Sequence, residues 1–142
     1  MNVIITGYQG FAKYPNVRLK KYAKNPVAAT GAIIKFEEEY AELCRYIAEF
    51  SETHSITKIL SMSRDGLDQS VEKWALGNSK SVKRFKPNWL TDGSRAAYLK
   101  SLDMAAAADA GLFILKAEDS TSSILIKEMR RAGKPLRVLD LR

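Results

Sequence analysis

Short apolar runs alternate along this chain with longer segments in which apolar residues recur every three or four positions. The segments with that longer period predict four amphipathic helices. The apolar runs predict five strands, at Val3–Thr6, Ile56–Met62, Val82–Phe85, Leu112–Leu115 and Leu136–Leu141. Strands that alternate with helices in this way are typical of parallel βαβ units. We therefore predict an α/β fold, a single Rossmann-like doubly wound parallel sheet of about five strands with flanking helices, over residues 1–142.

The segment that follows the first predicted strand is the least regular part of the pattern. Residues 11–33 contain Pro15, Pro26 and Gly31 and show no helical period. We interpret them as a long loop, and describe the insertion as a basic loop over residues 12–35. From Phe36 onwards, large apolar side chains follow the helical period, which predicts that the first long helix begins there.

Positive charge is concentrated in this first segment. The net charge is +7, and residues 1–36 hold six basic side chains and no acid. Such a segment attracts a phosphate-bearing ligand, a nucleic acid or an acidic partner, although it is equally typical of a solvated loop. Tyrosine and phenylalanine residues interleave with the lysines, which suits base stacking combined with neutralisation of a phosphate backbone. Nucleic-acid binding through residues 12–35 is therefore one hypothesis for this chain.

The composition narrows the chemistry. Cys44 is the single cysteine and His54 the single histidine, which excludes an internal disulfide and disfavours a transition-metal site. We predict no metal and no cofactor. No apolar stretch approaches the roughly 20 residues that a membrane-spanning helix needs, and the opening MNVIITG is interpreted as a strand and not as a signal peptide. The expectation is a cytoplasmic protein without a membrane partner.

Three turns carry the candidate chemistry, because ligands of doubly wound sheets bind at the carboxyl ends of the strands. Glycines allow a close approach of the backbone, helix starts supply free N–H donors, and Arg64 can clamp a phosphate. The alternative is that the aspartates and one hydroxyl merely cap helices. The candidates are Gly7, Tyr8 and Gln9 after the first strand, Ser63, Arg64, Asp65, Gly66 and Asp68 after the second, and Ser120, Thr121 and Ser122 after the fourth.

Two further candidates lie outside these turns. Trp89 is interpreted as a lid packed over the third strand or, alternatively, as a ring that stacks on a base. Lys100 is a further cation that can neutralise a phosphate.

Several stretches together resemble one known family. ILSMSRDGLDQSVEKWAL resembles a strand-turn-helix of the YspA/YpsA-related branch of the SLOG superfamily, relatives of the LOG phosphoribohydrolases and of DprA. FKPNW resembles the family's Phe-Pro-Ala-Asp-Trp, the run from Gly93 to Asp109 resembles its Gly-x-Ala-Ala-Gly to Ala-Asp segment, and AGKPLRVLDL resembles its closing strand. MNVIITGYQGF resembles its opening strand and turn, so the resemblance covers about residues 1–11 and 56–142.

The resemblance implies a protein that binds a nucleotide or a nucleotide-derived signalling molecule, of a kind frequent in phages and bacterial conflict systems. The LOG enzymes carry Gly-Gly-x-Gly-Thr-x-x-Glu, but Ile124 or Leu125 stands at the position of its acid. We therefore expect binding without turnover. The alternative is an N-glycosidic-bond hydrolase of nucleoside monophosphates, in which Glu118 or Asp119 replaces that acid. The resemblance also implies a homo-oligomer.

Overall fold

A computed structural model describes residues 1–142 and contains one sheet of five parallel strands. The order across the sheet is β3-β2-β1-β4-β5. The strands are β1 (Asn2–Gly7), β2 (Lys58–Ser61), β3 (Ser81–Arg84), β4 (Ala110–Leu115) and β5 (Leu136–Asp140). The predicted α/β class and Rossmann-like parallel sheet are confirmed, and each strand lies within a few residues of its predicted position.

Four long helices make the crossovers, and two single-turn helices lie between them. The helices are α1 (Lys20–Ala23), α2 (Pro26–Ser51), α3 (Leu67–Gly77), α4 (Trp89–Asp92), α5 (Ala96–Ala107) and α6 (Ser120–Arg131). None of them combines the length and the apolar character that crossing a lipid bilayer requires.

The side chains of the central strands alternate between two cores, one on each face of the sheet. Val3 and Ile5 of β1 pack with apolar residues of α2 and α3, including Leu43 and Val71. Ile4, between them, packs on the opposite face with α5 and α6. Because β1, β2 and β4 are covered on both faces, their sequences are nearly continuous apolar runs, whereas the edge strand β3 is mostly exposed.

β2 and β3 extend the sheet on one side of β1. The chain then crosses back, so that β4 and β5 extend the sheet on the other side of β1. β1 pairs with β2 from Asn2 to Ile4 and with β4 from Val3 to Gly7. In such sheets a ligand crevice forms at this switch in strand order. The carboxyl ends of β1, β2 and β4 together define the edge at which the predicted site lies.

The prediction of a continuous basic loop over residues 12–35 is wrong in its second half. α1 begins at Lys20, and α2 begins at Pro26, ten residues before the predicted start. The side chain of Asn25 accepts a hydrogen bond from the backbone N–H of Ala28 at 3.0 Å, and Pro26 occupies the first turn, where a missing N–H costs nothing. The proline that was interpreted as a helix breaker is therefore a helix start.

Candidate functional site

Arg64 joins the turns that follow β2 and β4. Its Nε donates to Asp68 Oδ2 at 2.9 Å, and its Nη1 donates to Asp119 Oδ1 at the same distance. Its Nη2 donates to Thr6 Oγ1, at the end of β1, also at 2.9 Å. One guanidinium therefore connects all three strand ends that the sequence predicts to converge.

Asp68 is the buried centre of this cluster, and its side chain is only 2% exposed. Its Oδ1 accepts from the hydroxyl of Thr6 at 2.5 Å and from Nε2 of Gln9 at 2.9 Å. The backbone N–H of Asp68 in turn donates to Oε1 of Gln9 at 2.9 Å. Gln9 and Asp68 thus hold the first two turns together, and neither side chain reaches outward as a free ligand group.

The electrostatics of Arg64 follow from these contacts. Burial by itself would lower the pKa of the guanidinium, but the charges of Asp68 and Asp119, with the hydrogen bonds to both, raise it above its ordinary value. All three guanidinium nitrogens already face protein acceptors. Arg64 therefore acts as a structural cation that links the turns, with about a quarter of its side chain still exposed.

Both carboxylate oxygens of Asp119 accept hydrogen bonds from groups within the protein. Besides the guanidinium, its Oδ2 accepts from the backbone N–H of Ser122 at 3.0 Å and from the Ser122 hydroxyl at 2.5 Å. Asp119 is the N-cap of α6, so the capping role lies with the acid and not with the hydroxyl residues that follow it. Ser122 is buried, Thr121 is half-buried and Ser120 is exposed.

Two glycines bring the turns to within contact distance of each other. Gly7 has φ +156°, and a Cβ placed on it would lie 1.9 Å from the carbonyl oxygen of Ile114 at the end of β4. Gly66 has φ +129°, and its Cβ would lie 2.0 Å from the carbonyl oxygen of Gln9. Both positions require glycine, because a side chain would collide with backbone and also strain the left-handed conformation.

A cleft opens beside these turns, between the segment after β1 and helix α2. Its volume is about 620 Å³, within the range of small-molecule sites. Gly10 and Asp65 line its inner side, next to the strand ends. Its outer side is lined by the basic segment, with Lys13, Tyr14, Lys21, Tyr22 and Lys35 among its residues.

Two of the three lysines that line this cleft have no carboxylate partner. Lys13 contacts the exposed carboxylate of Asp65 at 3.3 Å. Lys21 lies 4.9 Å from the ring centre of Tyr22, and neither Lys21 nor Lys35 has a carboxylate within salt-bridge distance. The cleft therefore presents positive charge together with aromatic rings.

The buried acid that lines the cleft does not cancel this charge. Glu39 of α2 accepts from the backbone N–H of Ala12 at 3.3 Å, and its carboxylate lies 3.5 Å from Nζ of Lys116. Lys116 also lies 5.1 Å from the ring centre of Phe11, which anchors the segment in the core. Glu39 is thus paired inside the protein and does not act as a free acid.

The remaining predicted residues lie apart from this cleft. Tyr8 is exposed at the turn after β1. Ser63 donates through its hydroxyl to Glu72 at 2.6 Å. Lys100 pairs with Asp103 at 3.7 Å, and the ring of Trp89 is 59% exposed, so it is not packed as a lid over β3.

The sequence analysis did not identify Thr6 or Glu39 as residues with polar contacts at this edge. It also did not predict the pair formed by Glu72 and Arg84, whose carboxylate and Nε lie 2.7 Å apart. One signal for Glu39 exists, because it lies between Phe36 and Leu43 on the apolar stripe of α2. An acid on such a stripe is buried and needs a partner. No three histidine, cysteine, aspartate or glutamate side chains lie together in a group that could hold a metal ion.

The fold and the position of the cleft define a Rossmann-like α/β protein with an anion-attracting cleft at the carboxyl edge of its parallel sheet. No protein-family model, curated protein or solved structure matches this chain. The resemblance to the SLOG superfamily therefore stays a prediction.

Proposed function

We propose that this protein binds a nucleotide or a nucleotide-derived signalling molecule, without turnover, in the cleft between the basic segment and α2. The observation that carries the proposal is the lining of that cleft. Two lysines without carboxylate partners, Lys21 and Lys35, lie with tyrosine rings at the carboxyl edge of a parallel sheet. Phosphate oxygens need cations, and a base needs a ring to stack on.

The proposed contacts follow from the positions of these groups. Lys21 and Lys35 neutralise the phosphate, and Lys13, already near Asp65, adds to the field at the inner end. Tyr14 packs edge-on against Phe36 with ring centres 5.0 Å apart and remains largely exposed, so one face is available to a base. The sequence analysis considers Arg64 as the residue that binds a phosphate, whereas this proposal assigns the phosphate to the lysines of the basic segment.

Binding without turnover is supported by the hydrogen bonding and burial of the acidic side chains near the strand ends. Cleavage of an N-glycosidic bond needs a carboxylate that is free to stabilise charge or activate water. Both oxygens of Asp119 are engaged by Arg64 and Ser122, and Asp68 is buried beneath them. Glu118 is exposed on the same turn but carries no contact that orients it towards the cleft. No specific observation therefore favours the hydrolase alternative.

We also propose that the protein self-associates through the first turns of α2. Val27 and Ile34, seven residues apart on one face of the helix, are 82% and 49% exposed. With Pro26, Thr30 and Gly31 they line a shallow groove of about 390 Å³. Lys24 precedes α2, and Glu37 and Glu38 follow Ile34 along it, so an antiparallel copy that packs on the same groove brings opposite charges together.

Calorimetric titration with AMP, ADP and ADP-ribose tests the proposed ligand class. The Lys21→Ala, Lys35→Ala double variant should weaken the tightest of these ligands by about tenfold or more, since two charge-assisted contacts are lost. Lys127→Ala on α6, far from the cleft, is the matched control and should bind as the parent does. Chromatography of the same mixtures should show no released base. Absence of binding to all three ligands would remove the proposal, and released base would replace it with the hydrolase.

A further inference from the structure

This chain contains a second basic segment in addition to residues 1–36. Its positive charge is not evident from the net charge, because an acidic stretch lies between the two basic segments. Residues 73–102 hold seven lysines and arginines and one acid. Residues 37–72, between the two basic segments, hold nine acids and three basic residues. The second segment includes the edge strand β3, where a row of exposed lysine and arginine also protects the edge from pairing with another chain.

The fold brings the two basic segments to one surface. The cleft described above shares Tyr14, Phe36 and Asp65 with a second cleft of about 270 Å³. That cleft shares Gln69 and Lys73 with a third, of about 480 Å³. The three clefts adjoin beside α3 through these shared residues, and together we call them the groove. Its third part is lined by Ser63, Arg84 and Lys86, which follow or end β2 and β3, and by Glu72 of α3.

Acids along this groove are already neutralised by the protein itself. The carboxylate of Glu72 accepts from Arg84 Nε at 2.7 Å and from the hydroxyls of Ser61 and Ser63 at 2.9 and 2.6 Å. Asp65 is paired with Lys13. The cations without a carboxylate partner are Lys21 and Lys35 in the first part of the groove, Lys73 where the second and third parts meet, and Lys86 in the third.

One exposed aromatic residue lines the first part of the groove, and a second lies close in sequence to a residue of the third part. Tyr14 lines the first part and is 58% exposed. Trp89 follows Lys86 by three residues and is 59% exposed. More than half of Trp89 is in contact with water in the free protein, and a stacked base would cover its exposed ring.

We propose that the groove binds single-stranded nucleic acid, with the phosphodiester backbone along the lysines and bases stacked on Tyr14 and Trp89. A row of cations spread over three connected clefts matches a row of phosphates and exceeds what one nucleotide needs. The rings select a single strand, since a duplex keeps the faces of its bases stacked on each other. This inference rests on the proposed function only in that the first cleft is one end of the same groove.

The test compares ligand length at fixed base composition. Thymidine monophosphate and thymidine oligonucleotides of two, four, eight and twelve nucleotides are titrated against the intact protein over a salt series, with a twelve-base-pair duplex beside them. We expect affinity to rise from one nucleotide to about eight and to fall with salt, while the duplex binds more weakly than the strand of equal length. The Lys73→Ala, Lys86→Ala variant should leave the mononucleotide affinity unchanged and reduce the salt slope for long strands by about 1.4, or roughly 0.7 for each lost phosphate contact.

Two further variants separate stacking from charge. Trp89→Ala should weaken the eight-nucleotide strand by about tenfold, since one stacked base is lost. Lys127→Ala, Arg130→Ala, on the exposed face of α6, removes two basic side chains outside the groove and should change neither affinity nor slope. An equal loss in this control would show that the binding is non-specific attraction to a basic protein, and would overturn the inference.

The length series also distinguishes this inference from the proposed function. Binding of nucleotides with no gain from added length overturns the inference and leaves the proposed function in place. Length-dependent binding of strands with no binding of AMP, ADP, ADP-ribose or thymidine monophosphate supports the inference and overturns the proposed function. Equal affinity for strand and duplex overturns the single-stranded assignment.

Discussion

Arg64 and Asp119 are 55 positions apart in the chain, yet Nη1 of the guanidinium donates to Oδ1 of the carboxylate at 2.9 Å. The contact spans the end of β1, because Arg64 follows β2 and Asp119 follows β4, on the two sides of that strand. The same guanidinium reaches down to Asp68 and Thr6. The carboxyl ends of the three strands are therefore held together by a polar cluster, and the lysine-lined cleft lies beside it.

Replacing Arg64 by alanine should lower the free energy of unfolding by about 3 kcal/mol, because it leaves the carboxylate of Asp68 buried without its cation. Urea denaturation followed by circular dichroism measures the change. Arg142→Ala is the control, since Arg142 and its partner Asp140 are exposed to solvent and their pair should contribute much less to the free energy of unfolding. Equal midpoints for the two variants would contradict a structural role for Arg64.

Two glycine substitutions should have opposite outcomes. Gly7→Ala places a Cβ against the carbonyl oxygen of Ile114, 1.9 Å away in the present backbone, so β1 and β4 cannot keep their pairing. We expect insoluble or unfolded protein. In Gly77→Ala the added Cβ meets nothing within 4 Å at the end of α3, and we expect a thermal midpoint equal to or slightly above that of the parent. A well-folded Gly7→Ala protein would refute the close approach of the two strands.

Self-association through α2 should be lost when charge is placed on its exposed apolar face. Sedimentation velocity is expected to show the parent as a dimer or larger assembly, and the Val27→Glu, Ile34→Glu variant as a monomer. Leu76→Glu alters an equally exposed leucine on α3 and should leave the sedimentation coefficient unchanged. A parent that sediments as a monomer at high concentration would remove the proposed interface.

The central strands β1, β2 and β4 were predictable because nearly all of their residues are buried. Residues of β4 are buried on both faces, and a run such as Leu112–Leu115 has no other stable placement in a small protein. The start of α2 was not predictable from apolar period alone, because its first turns lie outside the core and carry no stripe. There the local signals were decisive, an asparagine cap followed by proline, and they were interpreted as a loop.

The convergence of the three turns was predicted from the sequence, but the contacts that their residues make were not. The sequence indicates that the turns carrying Arg64 and Asp119 meet, since parallel strands end at one edge. Whether the guanidinium then faces a ligand or a carboxylate depends on the relative directions of two turns that are far apart in the chain. Local pattern contains no information on that geometry, and the pairing of Glu39 with Lys116 was missed for the same reason.

The lysines of the cleft belong to neither of the two cores that stabilise the sheet. Lys21 and Lys35 are exposed residues on helices that are held in place by other side chains, so exchanging them costs the fold little. Under the proposed function, substitutions in this cleft can therefore alter ligand recognition one at a time while the protein remains folded at each step. Descendants of this chain would then diverge in ligand preference long before they diverge in architecture.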